Sequence, residues 1–237
     1  MNPKSILKEI QTFCEKNQNP DIVRKYARYF KQGYDAWGVS SELIHQKVSE
    51  ILGRPDATLD LMLETSYLLI KSPKYEETFF GILLVMGFQK QFIKETFKAV
   101  EKWFQIGITN WAHTDYICGE VIQVFFIKEL ITIKDFSNWR IAGNKYQRRA
   151  VPVSFIKQLK TTDNLKPFFD FIDPMMMDPE REVHQGLGWF IREAWKKQPV
   201  PVESFLLKWK EKAARLIFQY ATEKMTPEQK LKFKRSR

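Results

Sequence analysis

Apolar residues recur every three or four positions along almost the whole chain. Ile6, Ile10 and Phe13 show this spacing near the start, and it returns over residues 22–30. Such a period places apolar side chains on one face of an α-helix, whereas a half-buried strand needs strict alternation. Because no stretch alternates convincingly, the chain is predicted to be all-α.

Helix starts are marked by a repeated pair, a capping residue followed by proline. The five pairs are Asn2-Pro3, Asn19-Pro20, Ser72-Pro73, Asp178-Pro179 and Thr226-Pro227. A side-chain oxygen satisfies the first free N–H groups of a helix, and proline suits the first turn because it has no N–H to leave unpaired. Stops are indicated at Gly53, at Gln198 and at Gly107. Together these signals predict about twelve short helices.

The helices are arranged as pairs that recur about every 35 to 45 residues, joined by short turns. Each pair would bury its apolar face only against its neighbours, as in HEAT-like and ARM-like repeats. We therefore expect one domain over residues 1–237, an α-solenoid of about six antiparallel helix pairs with a concave basic groove, and a compact bundle is the competing architecture. The last residues, 230–237 (KLKFKRSR), form a basic tail, either a solvated, frayed end or a phosphate-binding arm.

The charge of the chain favours a polyanionic partner. It has 38 Lys and Arg against 28 Asp and Glu, a formal net charge of +10. Such an excess is typical of nucleic-acid-binding proteins, although basic surfaces without such a partner also occur. The N-terminus has no apolar run of signal-peptide length, and the most apolar run, residues 79–88, is too short to span a bilayer. A cytoplasmic protein without membrane contact is expected.

Cysteine and histidine do not indicate a metal or disulfide site. Cys14 and Cys118 both fall inside amphipathic helical patterns, where buried thiols are expected. His45, His113 and His184 lie far apart, without a second His or Cys at ligand spacing. We expect neither a metal nor a cofactor.

Candidate chemistry lies in the segment NWAHTDYI. Trp111 and Asp115 are four residues apart, so a helix capped by Asn110 places an indole and a carboxylate on one face. A core tryptophan beside a solvated aspartate is the competing interpretation. Arg149 lies 34 residues after Asp115, and Trp189 lies 40 residues after Arg149. In a stack of helix pairs these residues would occupy equivalent positions on successive repeats and share one concave surface.

The ordered set of motifs resembles the AlkD-type DNA alkylation repair family. NWAHTD is similar to the family's Trp-x-x-x-Asp helix, and NKYQRRAV is similar to a segment that ends in an aromatic-x-x-Arg-Ala pattern. QGLGWFIREAW matches a Gly-Trp signature followed by an Arg-Glu pair, and YARYFK resembles the family's opening helix. The resemblance runs from about residue 5 to about residue 220, with the spacings between motifs kept.

The resemblance implies a role for each matching residue. Asp115 would be the catalytic carboxylate, and Trp111 and Trp189 would be the aromatic walls around the deoxyribose of the lesion. Arg149 would be a phosphate clamp, and Tyr29 would be an auxiliary wall of the cleft.

Arginines near these motifs add further candidates for contact with DNA. Arg148 precedes the clamp residue, Arg192 belongs to the third motif, and Arg215 follows later in the chain. Their long charged side chains suit phosphate contacts, although charged residues on helices are more often simply solvated.

The implied reaction is hydrolysis of the N-glycosidic bond of cationic N-alkylated purines, of the 3-methyladenine and 7-methylguanine type, in double-stranded DNA. A base that already carries a positive charge leaves without a strong general acid, so the site has to stabilise a sugar cation, which an ionised aspartate and aromatic faces can do. The motifs hold no lysine where a Schiff base would form, so a monofunctional glycosylase, acting as a monomer, is expected.

The chain departs from the common family pattern at four positions. Asn110 and Ala112 flank the motif tryptophan where Trp and Asp are common, Tyr146 stands where Trp is usual, and Pro152 either kinks the helix after Arg149 or lies near its first turn. Lesion preference therefore stays open. The alternatives are a non-catalytic relative that binds damaged, bent or branched DNA, and a HEAT-like scaffold for protein partners.

Gly186 and Gly188 interrupt the helical pattern of the third motif. Glycine lowers helix propensity, so two of them in one helix need a reason. Close packing of a neighbouring helix is favoured over close approach to a DNA backbone.

Overall fold

The regular structure is entirely helical over residues 1–236, which the computed structural model describes. Fourteen α-helices and no β-strand occur in this range, with short 3₁₀ turns between several of them. They are α1 (Pro3–Lys16), α2 (Pro20–Ala27), α3 (Ser41–Leu52), α4 (Leu59–Ile70), α5 (Tyr75–Met86), α6 (Lys94–Ile106), α7 (Trp111–Tyr116), α8 (Ile122–Ile127), α9 (Lys145–Phe155), α10 (Lys166–Ile172), α11 (Arg181–Lys197), α12 (Pro199–Trp209), α13 (Arg215–Ala221) and α14 (Pro227–Leu231). The all-α prediction is confirmed.

Three of the five cap-proline pairs begin helices where the sequence predicts them. Asn2 and Asn19 each accept N–H groups of the first turn that follows. Thr226 forms the capping box with Gln229, whose Oε1 accepts the Thr226 N–H at 2.8 Å. Side-chain oxygens thus replace the missing helical acceptors at these starts.

The other two pairs lie just before their helices instead of at the caps. Ser72 Oγ accepts the N–H of Lys74 at 3.2 Å, and Asp178 Oδ1 accepts the N–H of Glu180 at 2.9 Å. A side chain that binds the N–H two residues on forms a local turn, so α5 and α11 begin only after that turn is complete.

Contacts group the helices into two compact units, Met1–His113 and Thr114–Arg237. The boundary falls inside α7. The single domain and the concave groove expected from the sequence stay predictions.

Helix α5 is the centre of the first unit, with Phe80, Ile82 and Leu84 buried on different sides of it. It packs against α3 and, more extensively, against α4. A Cβ at Gly81 would lie 3.3 Å from the Cα of Ser66, so the missing side chain lets the backbones of α4 and α5 approach closely.

Helix α11 is the centre of the second unit and packs against α9, α12 and α13. A Cβ at Gly186 would lie 3.2 Å from the Cγ of Arg149, and one at Gly188 would lie 2.7 Å from the carbonyl oxygen of Ile217. Both glycines therefore admit neighbouring helices, which confirms the packing interpretation.

The basic tail is anchored over its described residues, so the frayed-end interpretation is wrong there. Phe233 is 1% exposed, and Arg215 donates to its carbonyl oxygen at 2.9 Å. A buried aromatic ring fixes the chain because exposing it to water costs free energy. The last tail residue, Arg237, lies outside the described residues.

Both cysteines are buried and free, as the sequence predicts. Burial, reinforced by the charges of Glu76 and Glu77, raises the pKa of Cys14 to about 12. In the part of the chain that is described, no three His, Cys, Asp or Glu side chains gather as metal ligands would. Likewise, none of the helices of residues 1–236 has the length and apolar character needed to cross a bilayer.

Candidate functional site

Helix α7 carries two of the predicted site residues, Trp111 and Asp115. Its start is capped as expected, because Asn110 Oδ1 accepts the N–H of His113 at 2.9 Å. A π-helical turn, Ile117–Val121, follows directly and widens the helix. Such insertions frequently lie at functional sites. Trp111 belongs to the first compact unit and Asp115 to the second.

Trp111 is part of an aromatic cluster in the first unit, formed by Phe30, Tyr34, Tyr75 and Trp111. Its indole stacks on Phe30, with ring centroids 5.6 Å apart, and its Nε1 donates to the carbonyl oxygen of Tyr29 at 3.3 Å. Phe30 also stacks on Tyr34 at 4.5 Å and meets Tyr75 edge-on. The indole is thus held from one side, yet 39% of its surface stays exposed for a ligand.

His113 lies behind this cluster and is structural. It is buried and stacks on Tyr75, with centroids 4.3 Å apart. Burial lowers the pKa of His113 to about 3, and burial raises the pKa of Tyr75 to about 12. Neither group exchanges a proton near neutral pH, so neither is suited to general acid catalysis.

The connection between α2 and α3, which carries Tyr29, is anchored by the buried carboxylate of Glu76. Its oxygens accept the N–H groups of Trp37 at 2.8 Å, Gly38 at 2.7 Å and Val39 at 3.2 Å. Gly38 has a φ of +79°, a left-handed conformation that favours glycine. One carboxylate therefore fixes the end of the segment that holds the aromatic cluster.

Replacing Glu76 with glutamine is expected to lower the free energy of unfolding by about 1 to 3 kcal/mol. Glutamine offers one neutral acceptor oxygen to three N–H groups that now share a charged carboxylate. Urea denaturation followed by circular dichroism measures the change. Glu64→Gln, on an exposed position of α4, is the control. Equal stability of the two variants would contradict the anchoring role.

Asp115 and Arg149 form a buried ion pair in the second unit. Arg149, on α9, is 6% exposed. Its Nε donates to Oδ1 of Asp115 at 2.9 Å and its Nη2 donates to Oδ2 at 2.8 Å, a two-pronged geometry that fixes the plane of the carboxylate. Although burial opposes the charge, hydrogen bonding to Asp115 and the charge of Asp115 hold the pKa of Arg149 above its ordinary value.

A third donor of Arg149 is also engaged, since Nη1 donates to the carbonyl oxygen of Glu182 on α11 at 2.8 Å. The side chain of Asp115 keeps 17% of its surface exposed, and its oxygens have further lone pairs. This geometry favours Arg149 as the residue that positions Asp115. Its role as a phosphate clamp stays a prediction.

Trp189 is half-buried on α11. It follows Glu182 by seven residues and Gly186 by three, so all three lie along the side of α11 that meets α9. Among the described residues, Trp189 makes no hydrogen bond or ring stack with Asp115 or Arg149. The structure thus brings Asp115 and Arg149 into contact, and it leaves the role of Trp189 as a prediction.

Arg148 and Arg192, the other predicted DNA-binding residues, form ion pairs within the second unit. Arg148 Nε donates to Asp178 at 2.6 Å, in the turn before α11. Arg192 pairs with Glu193 at 3.1 Å and with Glu223. Binding of DNA by either residue would have to compete with these carboxylates, and it stays a prediction.

Two departures from the family pattern lie in α9. Tyr146 is buried at its start, so a ring fills the position where Trp is usual. Pro152 lies inside α9, well past the first turn, so the interpretation that places it near the helix start is wrong. Without an N–H, it leaves the carbonyl of Arg148 without its usual helical donor.

Sequence reasoning missed Phe30, the ring on which Trp111 stacks, and the Glu182 carbonyl that binds Arg149. Phe30 directly follows Tyr29 in the motif YARYFK, so an aromatic pair was visible there. Which ring of the pair touches Trp111 depends on how the α2–α3 connection folds. A backbone carbonyl leaves no signal in a sequence at all.

Most of the chain matches a known protein family. The family model described as DNA alkylation repair enzyme matches residues 10–225. No curated protein sequence matches the chain significantly.

Two solved structures have a similar fold. A protein from Enterococcus faecalis, described as a predicted DNA alkylation repair enzyme, superimposes with a TM-score of 0.73 at 18% identity, over 89% of this chain and 98% of that one. AlkD2 from Streptococcus mutans gives a TM-score of 0.57 at 16% identity, over 86% and 97% of the two chains. At these identities the likeness shows the helical-repeat fold. Together with the family match, it means that the chain belongs to the DNA alkylation repair enzyme family, as an AlkD-type member.

Proposed function

We propose that the protein is a monofunctional DNA glycosylase that hydrolyses the N-glycosidic bond of cationic N-alkylated purines, of the 3-methyladenine and 7-methylguanine type, in double-stranded DNA. It would act as a monomer, without a metal or cofactor. The observation that carries this proposal is the carboxylate of Asp115, held in one orientation by Arg149 at 2.8 and 2.9 Å in a family of DNA repair enzymes.

In the proposed reaction the bond between C1′ and the base nitrogen breaks, and its electron pair moves to the cationic purine, which leaves as a neutral base. The sugar develops positive charge, which the carboxylate of Asp115 stabilises. Water then attacks C1′ and loses a proton to solvent, with Asp115 orienting it. Because Arg149 fixes the carboxylate in advance, little reorganisation is needed when the charge appears.

Aromatic faces support the same charge in this proposal. Trp111 presents one exposed face while the other is packed on Phe30, so the indole is already ordered before a ligand arrives. With Trp189 as the second wall and Tyr29 as an auxiliary wall, each ring would add cation-π attraction of about 0.5 to 2 kcal/mol.

The proposed preference for cationic lesions is consistent with the neutral state of His113, the histidine of the NWAHTD motif. His113, with a pKa of about 3, stays neutral, so it cannot protonate a departing base. An uncharged lesion needs that proton. General acid catalysis is worth about a hundredfold to ten-thousandfold in rate, so uncharged lesions are expected to leave slower by that factor.

Incubation of the purified protein with methylated duplex DNA tests the function directly. Release of 3-methyladenine and 7-methylguanine, detected by chromatography, is expected. A duplex that contains uracil should release uracil at least about a hundredfold more slowly. Rapid release of uracil would overturn the mechanism. Duplex binding without release from either substrate would favour the non-catalytic relative.

Affinity for duplex DNA is expected to fall steeply with salt, because a chain of net charge +10 displaces counterions from several phosphates. The logarithm of affinity should fall with the logarithm of salt concentration with a slope of about −0.9 for each phosphate contact. Fluorescence anisotropy over a salt series measures this slope. An affinity that does not change with salt concentration would favour the protein-scaffold alternative.

The cytoplasmic location expected from the sequence is part of the same proposal.

A further inference from the structure

The segment that follows residue 225 lies outside the part of the chain that the family model matches. Over residues 226–236 it forms α14 and then an irregular, anchored end, and we call this whole segment the C-terminal strap. Phe233, within the strap, is buried, and Ser236 donates to Glu211 at 3.0 Å. The strap is therefore an anchored segment that follows the residues matched by the family model.

Two arginines brace the strap against the start of α13. Arg215 Nη1 donates to the carbonyl oxygen of Phe233 at 2.9 Å, and Arg235 Nη2 donates to the carbonyl oxygen of Ala213 at 3.0 Å. Each guanidinium thus reaches across to the other's segment. Arg215 also lies over the ring of Phe218, 4.6 Å from its centroid. Both guanidinium groups are held in place, and each has further N–H groups.

The positive charge of this surface is offset only in part, by the charge of Glu211, which acts on Arg215. Lys212, Arg215, Lys234 and Arg235 are exposed, and none of them forms an ion pair with any residue of the described range 1–236. Glu211 accepts from Ser236 and pairs with Lys210 at 3.7 Å, and it forms no ion pair with these four residues. Burial, together with the neighbouring charge of Arg235, lowers the pKa of Arg215, as like charges held within electrostatic range should do. A polyanion would relieve that repulsion.

We propose that Lys212, Arg215, Lys234 and Arg235 form an accessory surface that binds the phosphate backbone of duplex DNA. The choice of DNA as the polyanion rests on the proposed function. Within the second unit this surface is connected to Arg149 through packed helices. Helix α13, which begins at Arg215, packs on α11, and α11 packs on α9, which carries Arg149. Fixed guanidinium groups suit phosphate because their N–H groups match its oxygens in pairs.

The test compares two triple variants of the full chain that remove the same charge. The strap variant is Arg215→Gln, Lys234→Gln and Arg235→Gln. The control is Lys157→Gln, Lys166→Gln and Lys196→Gln, three lysines of the same unit that are already paired with carboxylates. Binding to undamaged duplex is followed by fluorescence anisotropy over a salt series.

The strap variant is expected to bind about tenfold more weakly at low salt, with a slope shallower by about 0.9 for each phosphate contact that is lost. The control should stay within about twofold of the parent, because its lysines already neutralise carboxylates. A strap variant with the affinity and slope of the parent would overturn the proposal.

Lys234→Gln alone guards against a folding artefact, because the side chain of Lys234 makes no hydrogen bond or ion pair with residues 1–236. Its slope should still fall by about 0.9. Undamaged duplex keeps this test separate from base excision. If the parent releases no base from methylated duplex and the strap variant still binds undamaged duplex more weakly than the parent, only the glycosylase proposal is refuted. Strap-dependent binding to phosphatidylserine vesicles, with unchanged binding to duplex, would refute DNA as the partner.

Discussion

Asp115→Asn is expected to slow base release from methylated duplex by at least about a hundredfold, while the protein still binds the duplex. Asparagine keeps the shape and one acceptor oxygen for Arg149, but it removes the negative charge that, in the proposed mechanism, faces the developing sugar cation. The loss of one preorganised electrostatic group typically has this size. Single-turnover release of free base, with enzyme in excess, isolates the chemical step from binding.

The matched control is Asp178→Asn, the same chemical change at a second aspartate of the second unit that is paired with an arginine, at 2.6 Å from Arg148. It should alter stability without a comparable loss of rate, because no role in the reaction is assigned to it. Circular dichroism confirms that both variants are folded. An Asp115→Asn variant as fast as its parent would remove the proposed mechanism and leave Trp111 and Trp189 without a catalytic partner.

Arg149→Ala is expected to lower the free energy of unfolding by about 3 to 5 kcal/mol. The change leaves the carboxylate of Asp115 without its ion-pair partner, removes the donor to the Glu182 carbonyl and opens a cavity beside Gly186. Breaking a buried pair from one side costs this much because the remaining charge keeps its desolvation penalty without its partner. Urea denaturation followed by circular dichroism measures the loss. Lys166→Ala, which breaks an exposed pair with Asp170, should cost about 1 kcal/mol or less.

The same variant separates the two roles considered for Arg149. A positioning residue, once removed, lowers stability and base release together and leaves the salt slope of duplex binding nearly unchanged. A phosphate clamp lowers the slope by about 0.9, whatever the loss of stability. Arg149→Lys sharpens the distinction, since lysine keeps the charge but cannot hold both carboxylate oxygens in one plane. It should bind duplex like the parent and release base more slowly.

Four features of the protein could be predicted from the sequence because they depend on neighbours along the chain. Helical periodicity gave the all-α class, and short-range caps such as Asn2 and Asn110 placed helix starts to within a few residues. Gly186 and Gly188 indicated close packing because glycine lowers helix propensity and is more often kept inside a helix where a neighbouring helix approaches. The motifs around Asp115, Arg149 and Trp189 indicated the family because their residues and their order can be compared directly along the sequence.

Contacts between residues far apart in sequence were decided only by the tertiary structure. Arg149 was expected to face phosphate, yet α9 and α11 pack closely enough at Gly186 for its guanidinium to reach both Asp115 and a backbone carbonyl. Burial of Phe233 likewise turned a tail that resembled a frayed end into an ordered strap. The sequence alone thus determined which elements form and which residues carry charge. Partners, burial and therefore the electrostatic character of each group depend on packing between elements, which no local pattern encodes.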